Sequence, residues 1–190
     1  GLLSLLALVF LAPLLWKLQA VGGELDWRYF QMLWEVDRKS VMEFGQFPLW
    51  NPYYCGGNAQ LGNPQSQFFS LATPVSLLLG AAVGIKAHIF IHYLLGFYGA
   101  WRLARAHQLQ PLGALGAALV FGLSGFFAMR AGGGHSAFLP FFFLPWAAFF
   151  YDVGKRHLAG AVGLGLTLAL QLMEGGMYPF SLTGGMLAFL

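Results

Sequence analysis

The chain has 190 residues, 58% of them hydrophobic and 9% charged, against about 25% charged in an ordinary soluble domain, which excludes a water-soluble globular protein. Ten Lys and Arg against seven Asp and Glu leave a net charge of +3, and without a basic run of five or more residues there is no footprint for nucleic acid. The one cysteine, Cys55, excludes an intramolecular disulfide and any site built on two thiolates.

In chain order, residues 1–21 form an apolar run interrupted by little more than Ser4, Pro13, Lys17 and Gln19. At about 20 residues it fits one crossing of the hydrocarbon core. A signal peptide is disfavoured by the missing basic start and by the further apolar runs that follow. Because the chain begins and ends inside apolar runs, it reads as a segment of a longer membrane protein.

Residues 22–84 read as one long loop. The part from Gly22 to Ser70 holds five of the seven acids (Glu24, Asp26, Glu35, Asp37 and Glu43) and three of the ten bases (Arg28, Arg38 and Lys39). From Asp26 to Phe44 the spacing predicts an interfacial helix, with Trp27, Phe30, Trp34 and Val41 on one face and Arg28, Gln31, Glu35 and Arg38 or Lys39 on another. Glu35 and Lys39 are spaced for an i,i+4 ion pair. Gly45 is a C-terminal stop, and Pro48 and Pro52 forbid helix just beyond it. Turns are predicted at Asn51-Pro52, Gly56-Gly57 and Asn63-Pro64. Leu71–Gly84 is apolar but too short to span and reads as a re-entrant or interfacial piece.

Spans are predicted at 85–104, 112–129, 137–153 and 158–173, with the start of another at 177–190. The fold class is therefore an all-α multi-pass membrane protein. Arg102 and Arg105 mark one connection and Lys155 and Arg156 another, which assigns both to the cytoplasm. Residues 22–70, 130–136 and 174–176 then share the outer side. Pairs of glycines in the later spans read as close helix packing, and none forms a phosphate loop.

Asp26, just past the first span, fits a general base or a ligand to a divalent cation; it also fits an acid opening a helix. Glu24 is a weaker second carboxylate. Arg28, Arg38, Lys39 and Arg130 suit phosphate, or simply ion pairs and lipid head groups. His135, in Ala131-Gly-Gly-Gly-His-Ser, is a donor to a phosphate or sugar oxygen, or a turn residue. Trp50 suits an aromatic face for a sugar, and equally an interfacial aromatic belt; Asn51, Asn58, Gln60, Asn63 and Gln65 suit a hydroxyl-rich ligand, and equally the internal bonding of an ordered loop. His88 and His92 have ligand-like spacing, but no acid lies between them, and polar contact between helices is the expectation.

Asp26-Trp27, Gly45-Gln-Phe-Pro-Leu-Trp-Asn-Pro-Tyr, Cys55-Gly-Gly, Gly62-Asn-Pro-Gln-Ser, Gly132-Gly-Gly-His-Ser and Leu144-Pro-Trp together resemble the bacterial YfhO-like membrane proteins of the GT-C glycosyltransferase superfamily. The resemblance implies a GT-C-like helix bundle in the cytoplasmic membrane. It also implies transfer of a sugar from a polyprenyl-phosphate carrier to an envelope glycan, lipid or protein acceptor at the outer face. Asp26 would then be the catalytic carboxylate or the ligand of a divalent cation such as Mg or Mn. One departure is that a Gly-His word usual after the fifth span is replaced by Met173-Glu-Gly-Gly-Met-Tyr-Pro, which puts any role resting on that His in doubt or moves it to Glu174. The competing expectation is a non-catalytic carrier or flippase component for lipid-linked glycans. Such a protein would place ionisable residues near mid-membrane, whereas here the charges group at the surface.

Overall fold

The structure is a computed structural model that describes residues 1–18 and 26–190. The predicted end of the first span and Glu24 lie outside the described residues. The helices in chain order are α1 (Leu2–Leu15), α2 (Trp27–Met42), α3 (Thr73–Leu79), α4 (Ala81–Ala106), α5 (Pro111–Gly122), α6 (Gly125–Gly132), α7 (Leu144–Gly154), α8 (Leu158–Met173) and α9 (Met177–Leu187). A 3₁₀ segment, Ser136–Phe143, precedes α7. A two-stranded antiparallel hairpin pairs β1 (Trp50–Asn51) with β2 (Asn58–Ala59).

Among the described residues, three stretches are long and apolar enough to cross a membrane: Ala81–Ala106, Pro111–Gly132 and Ser136–Gly154; Leu2–Leu15 and Leu158–Met173 are shorter apolar helices. The second stretch is broken at Leu123-Ser124, where Ser124 turns to an extended ψ of 135° before α6 begins. The third starts as 3₁₀ because Pro140 has no N–H for the α-helical ladder.

The core is built around α4, which packs against α1, α2, α3, α5, α7 and the 3₁₀ segment. Its buried stripe of Ile85, Ile89, Tyr93 and Phe97 recurs every four residues, the spacing of one helix face. A Cβ at Gly96 would overlap the Phe142 ring, and one at Gly99 would overlap Trp146, so these small residues serve close packing as expected. Phe127 stacks on Phe142 at 3.8 Å between centroids.

The helix predicted from Asp26 to Phe44 is α2. It buries Trp27, Phe30, Leu33, Trp34 and Asp37, while Val41 is only half-buried. Two details differ from the sequence expectation. Glu35 pairs with Arg38 at 3.6 Å rather than with Lys39, whose ammonium lies 5.5 Å from the Tyr53 ring. The predicted 71–84 piece is divided: Gly80, at φ +96°, ends α3, and the following residues already belong to α4.

The connections gather at two ends. At one, His107 lies 3.2 Å from Asp152 and Lys155 lies 3.3 Å from the same carboxylate, so the two basic connections are neighbours. At the other, α2 and its loop meet residues 130–136 and 174–176: Gln67 accepts from Trp34 Nε1 at 2.9 Å and donates to Ser136 Oγ at 3.1 Å.

Candidate functional site

Asp26 occupies the position before the first turn of α2, yet its side chain makes no capping bond. Its Oδ2 lies 3.3 Å from His135 Nε2 instead. Arg130 Nη1 sits 3.0 Å from His135 Nδ1. A guanidinium only donates, so Nδ1 is the acceptor and the ring proton is on Nε2, facing the carboxylate. Arg130 is held in turn over the Phe138 ring at 4.3 Å and the Phe126 ring at 5.5 Å. The result is a chain of aromatic platform, guanidinium, neutral imidazole and carboxylate. It lies open to solvent, with the Asp26 side chain 55% and the His135 side chain 37% exposed.

The glycine run before His135 explains how the two segments approach. Gly134 has φ +81°, and a Cβ there would come 2.5 Å from the Trp27 backbone N and 3.0 Å from the Asp26 carbonyl carbon. Only glycine combines that conformation with that proximity.

Of the residues singled out in the sequence, Asp26, Arg130 and His135 are brought together, and Arg28 is exposed two residues along from Asp26. Asn63 approaches the same end of α2, donating to the Tyr29 hydroxyl at 3.0 Å while its Oδ1 accepts from the Gln65 backbone N–H at 2.9 Å; Gln65 is exposed. The others lie elsewhere. Asn51 and Gln60 are fully buried: Asn51 Oδ1 accepts from Tyr53 N, and Gln60 Nε2 donates to Leu33 O at 3.0 Å and Asp37 Oδ1 at 2.8 Å. Both are loop framework. Asn58 belongs to β2 and is half-buried. Trp50 is exposed and lines a cavity of about 620 Å³ with Ser40, Phe44, Phe47 and Tyr53. That cavity sits at the C-terminal end of α2, roughly 20 Å along the helix from Asp26 at 1.5 Å per residue.

A divalent cation at Asp26 fits this donor set poorly. Among the described residues, no group of three His, Cys, Asp or Glu ligands includes Asp26, and the neighbouring side chains are an imidazole N–H and a guanidinium.

The structure also contains polar chemistry for which the sequence gave little signal. Asp37 is buried, and burial pushes its carboxyl up to about 7, opposed by the Gln60 hydrogen bond. Lys86, buried within α4, donates to the Lys17 carbonyl. Glu174, fully buried, meets His92 at 2.7 Å. The i,i+4 histidines were visible in the sequence; the acid that joins them comes from the α8–α9 turn, beyond the reach of any local spacing. No family model, curated protein or solved structure matches the chain.

Proposed function

We propose that the protein is a membrane glycosyltransferase that takes a sugar from a polyprenyl-phosphate carrier at the outer face of the bacterial cytoplasmic membrane, with Asp26 as general base. The observation that carries the reading is the contact of Asp26 with His135, which is supported from behind by Arg130. One carboxylate oxygen faces the imidazole N–H, and the other is left to take a proton. In the reaction, Asp26 removes the proton of an acceptor hydroxyl as that oxygen bonds to the anomeric carbon. The bond from that carbon to the phosphate oxygen breaks, and polyprenyl phosphate leaves with the electron pair. Arg28 and Arg130 offset the phosphate charge, and exposed Gln65 is a contact for sugar or acceptor. The GT-C-like bundle belongs to the same proposal. No step is assigned to a metal at Asp26.

A second reading, a carrier for lipid-linked glycans, is favoured by one observation: Lys86, His88, His92 and Glu174 are ionisable residues buried among the helices, a feature of transport pathways. The two separate in one assay. Full-length protein in membranes is given labelled polyprenyl-phosphate sugars and a panel of envelope acceptors. The transferase reading expects covalent label on an acceptor. Translocation of the intact donor without transfer would replace it with the carrier reading.

A further inference from the structure

His88 and His92 lie about 10 and 17 Å along α4 from Ala81, at 1.5 Å per residue, and face the turn after α8. Glu174 enters there because Gly175, at φ +75°, turns the chain against the backbone of Pro64 and Gln65. All three side chains are buried, and their nearest donor atoms lie within 4.8 Å of one another. We propose that these residues form a binding site for a first-row transition-metal dication of the zinc type, separate from the Asp26 cluster.

The argument rests on what each heteroatom already touches. His88 Nδ1 is 2.7 Å from Ser70 Oγ, and His92 Nδ1 is 2.8 Å from the His88 carbonyl oxygen. The carbonyl can only accept, so His92 Nδ1 carries a proton, and in the neutral ring Nε2 then presents a lone pair. With Nδ1–H given to Ser70, His88 Nε2 does the same. Glu174 Oε1 accepts from the Leu71 backbone N–H at 3.2 Å, which turns Oε2 toward the histidines. His88 Nε2, His92 Nε2 and Glu174 Oε2 have no further hydrogen-bond partner among the described residues. Each ligand is thus oriented by its other polar atom, the arrangement typical of imidazoles and carboxylates that bind metal.

A single proton between His92 and Glu174 would satisfy that pair at 2.7 Å, but it leaves His88 Nε2 buried and unpaired. A dication satisfies all three atoms at once. Two histidines and one glutamate form a three-ligand set with one open position, as in zinc sites; tetrahedral ligands at about 2.1 Å from the metal stand roughly 3.4 Å apart, within the spread found here. The nitrogen ligands favour zinc or its neighbours over magnesium or calcium. The ion would tie α4 to the α8–α9 turn and to the Ser70-Leu71 segment of the outer loop.

The test uses the full-length chain, purified through a tag without histidine, stripped with chelator and reconstituted in lipid nanodiscs. Zinc is titrated and bound metal counted. The expected result is about one zinc per chain, as three ligands and an open position imply. Affinity should fall at least tenfold in Glu174→Gln and in His88→Ala and stay unchanged in Asp26→Asn. Ser70→Ala, which removes only the outer partner of His88, should weaken zinc by about 10- to 100-fold. Should the ligand variants fail to fold, zinc-edge absorption of the unmodified chain decides the matter, since it must show two imidazoles. Absence of stoichiometric uptake by the folded protein, as a proton or a water at the site would give, overturns the proposal. So does uptake that survives Glu174→Gln and His88→Ala undiminished, or an edge spectrum without imidazole.

Discussion

At Asp37, burial sets a pH dependence that can be given a sign. Its carboxyl is pushed up to about 7 from 3.8, so the folded protein keeps a proton that the unfolded chain releases as the pH passes 4. The contribution of this group is fully favourable below about pH 4 and is lost as the pH rises through 7. Asp37→Asn keeps an oxygen to accept from Gln60 and abolishes the titration. Its thermal stability in detergent should exceed that of the parent by a margin that widens from pH 4 to 7, on the order of a few kcal/mol at most, and is flat from 8 to 9. A margin that stays flat over this range would mean that Asp37 is solvated or ion-paired. His135 calls for a different test. His135→Phe removes the N–H that faces Asp26 and the acceptor that holds Arg130, so turnover should fall about tenfold or more with little change in stability, since the side chain is 37% exposed.

Among the elements, the Gly132-Gly-Gly-His turn and α2 bear on each other most directly. Gly134→Ala places a methyl against the Trp27 backbone at a φ that L residues rarely adopt, at a cost of roughly 1–3 kcal/mol, and should separate His135 from Asp26. Gly132→Ala, where a Cβ meets nothing within 4 Å among the described residues, is the control and should be close to silent in both stability and sugar transfer. Equal effects of the two would remove the special role of Gly134. The limits of α2 were legible to within two residues because Trp27, Phe30 and Trp34 carry a helical period and Gly45 stops it. The role of Asp37 was not, since a charge among charges reads as exposed until the turn of the helix and Gln60 enclose it. The loop amides were ambiguous for a physical reason: Asn51, Gln60 and Asn63 have the same donors and acceptors whether they serve a ligand or the backbone beside them. Only the tertiary contacts show that Asn51 and Gln60 face inward.

For the molecule as a whole, apolar run lengths located the long helices, while the break at Leu123-Ser124 and the 3₁₀ start of the third stretch at Pro140 are local features that no run length reports. The meeting of residues 26, 130–136 and 174–176 at one end, and of His107 with Asp152 at the other, follows from alternating crossings and was readable from the Arg and Lys of the connections. The partners within that end were not: nothing in the local sequence ties Glu174 to His92. Which end faces outward is a proposal with a simple check, since Cys55 is exposed. In intact cells a membrane-impermeant maleimide should label Cys55. In a Cys55→Ala background it should label Arg105→Cys only after permeabilisation. The reverse pattern would invert the topology and take Asp26 away from the outer face.

The central claim is that the Asp26 carboxylate performs the proton transfer. It is tested most directly by the rate of sugar transfer from a labelled polyprenyl-phosphate donor in membranes holding equal amounts of full-length parent and Asp26→Asn. The substitution keeps the shape of the side chain and removes its basicity, at a site 55% exposed where packing contributes little. Transfer should fall by about 10²- to 10⁴-fold, with insertion and donor binding unchanged. Near-parental transfer by Asp26→Asn would contradict the claim.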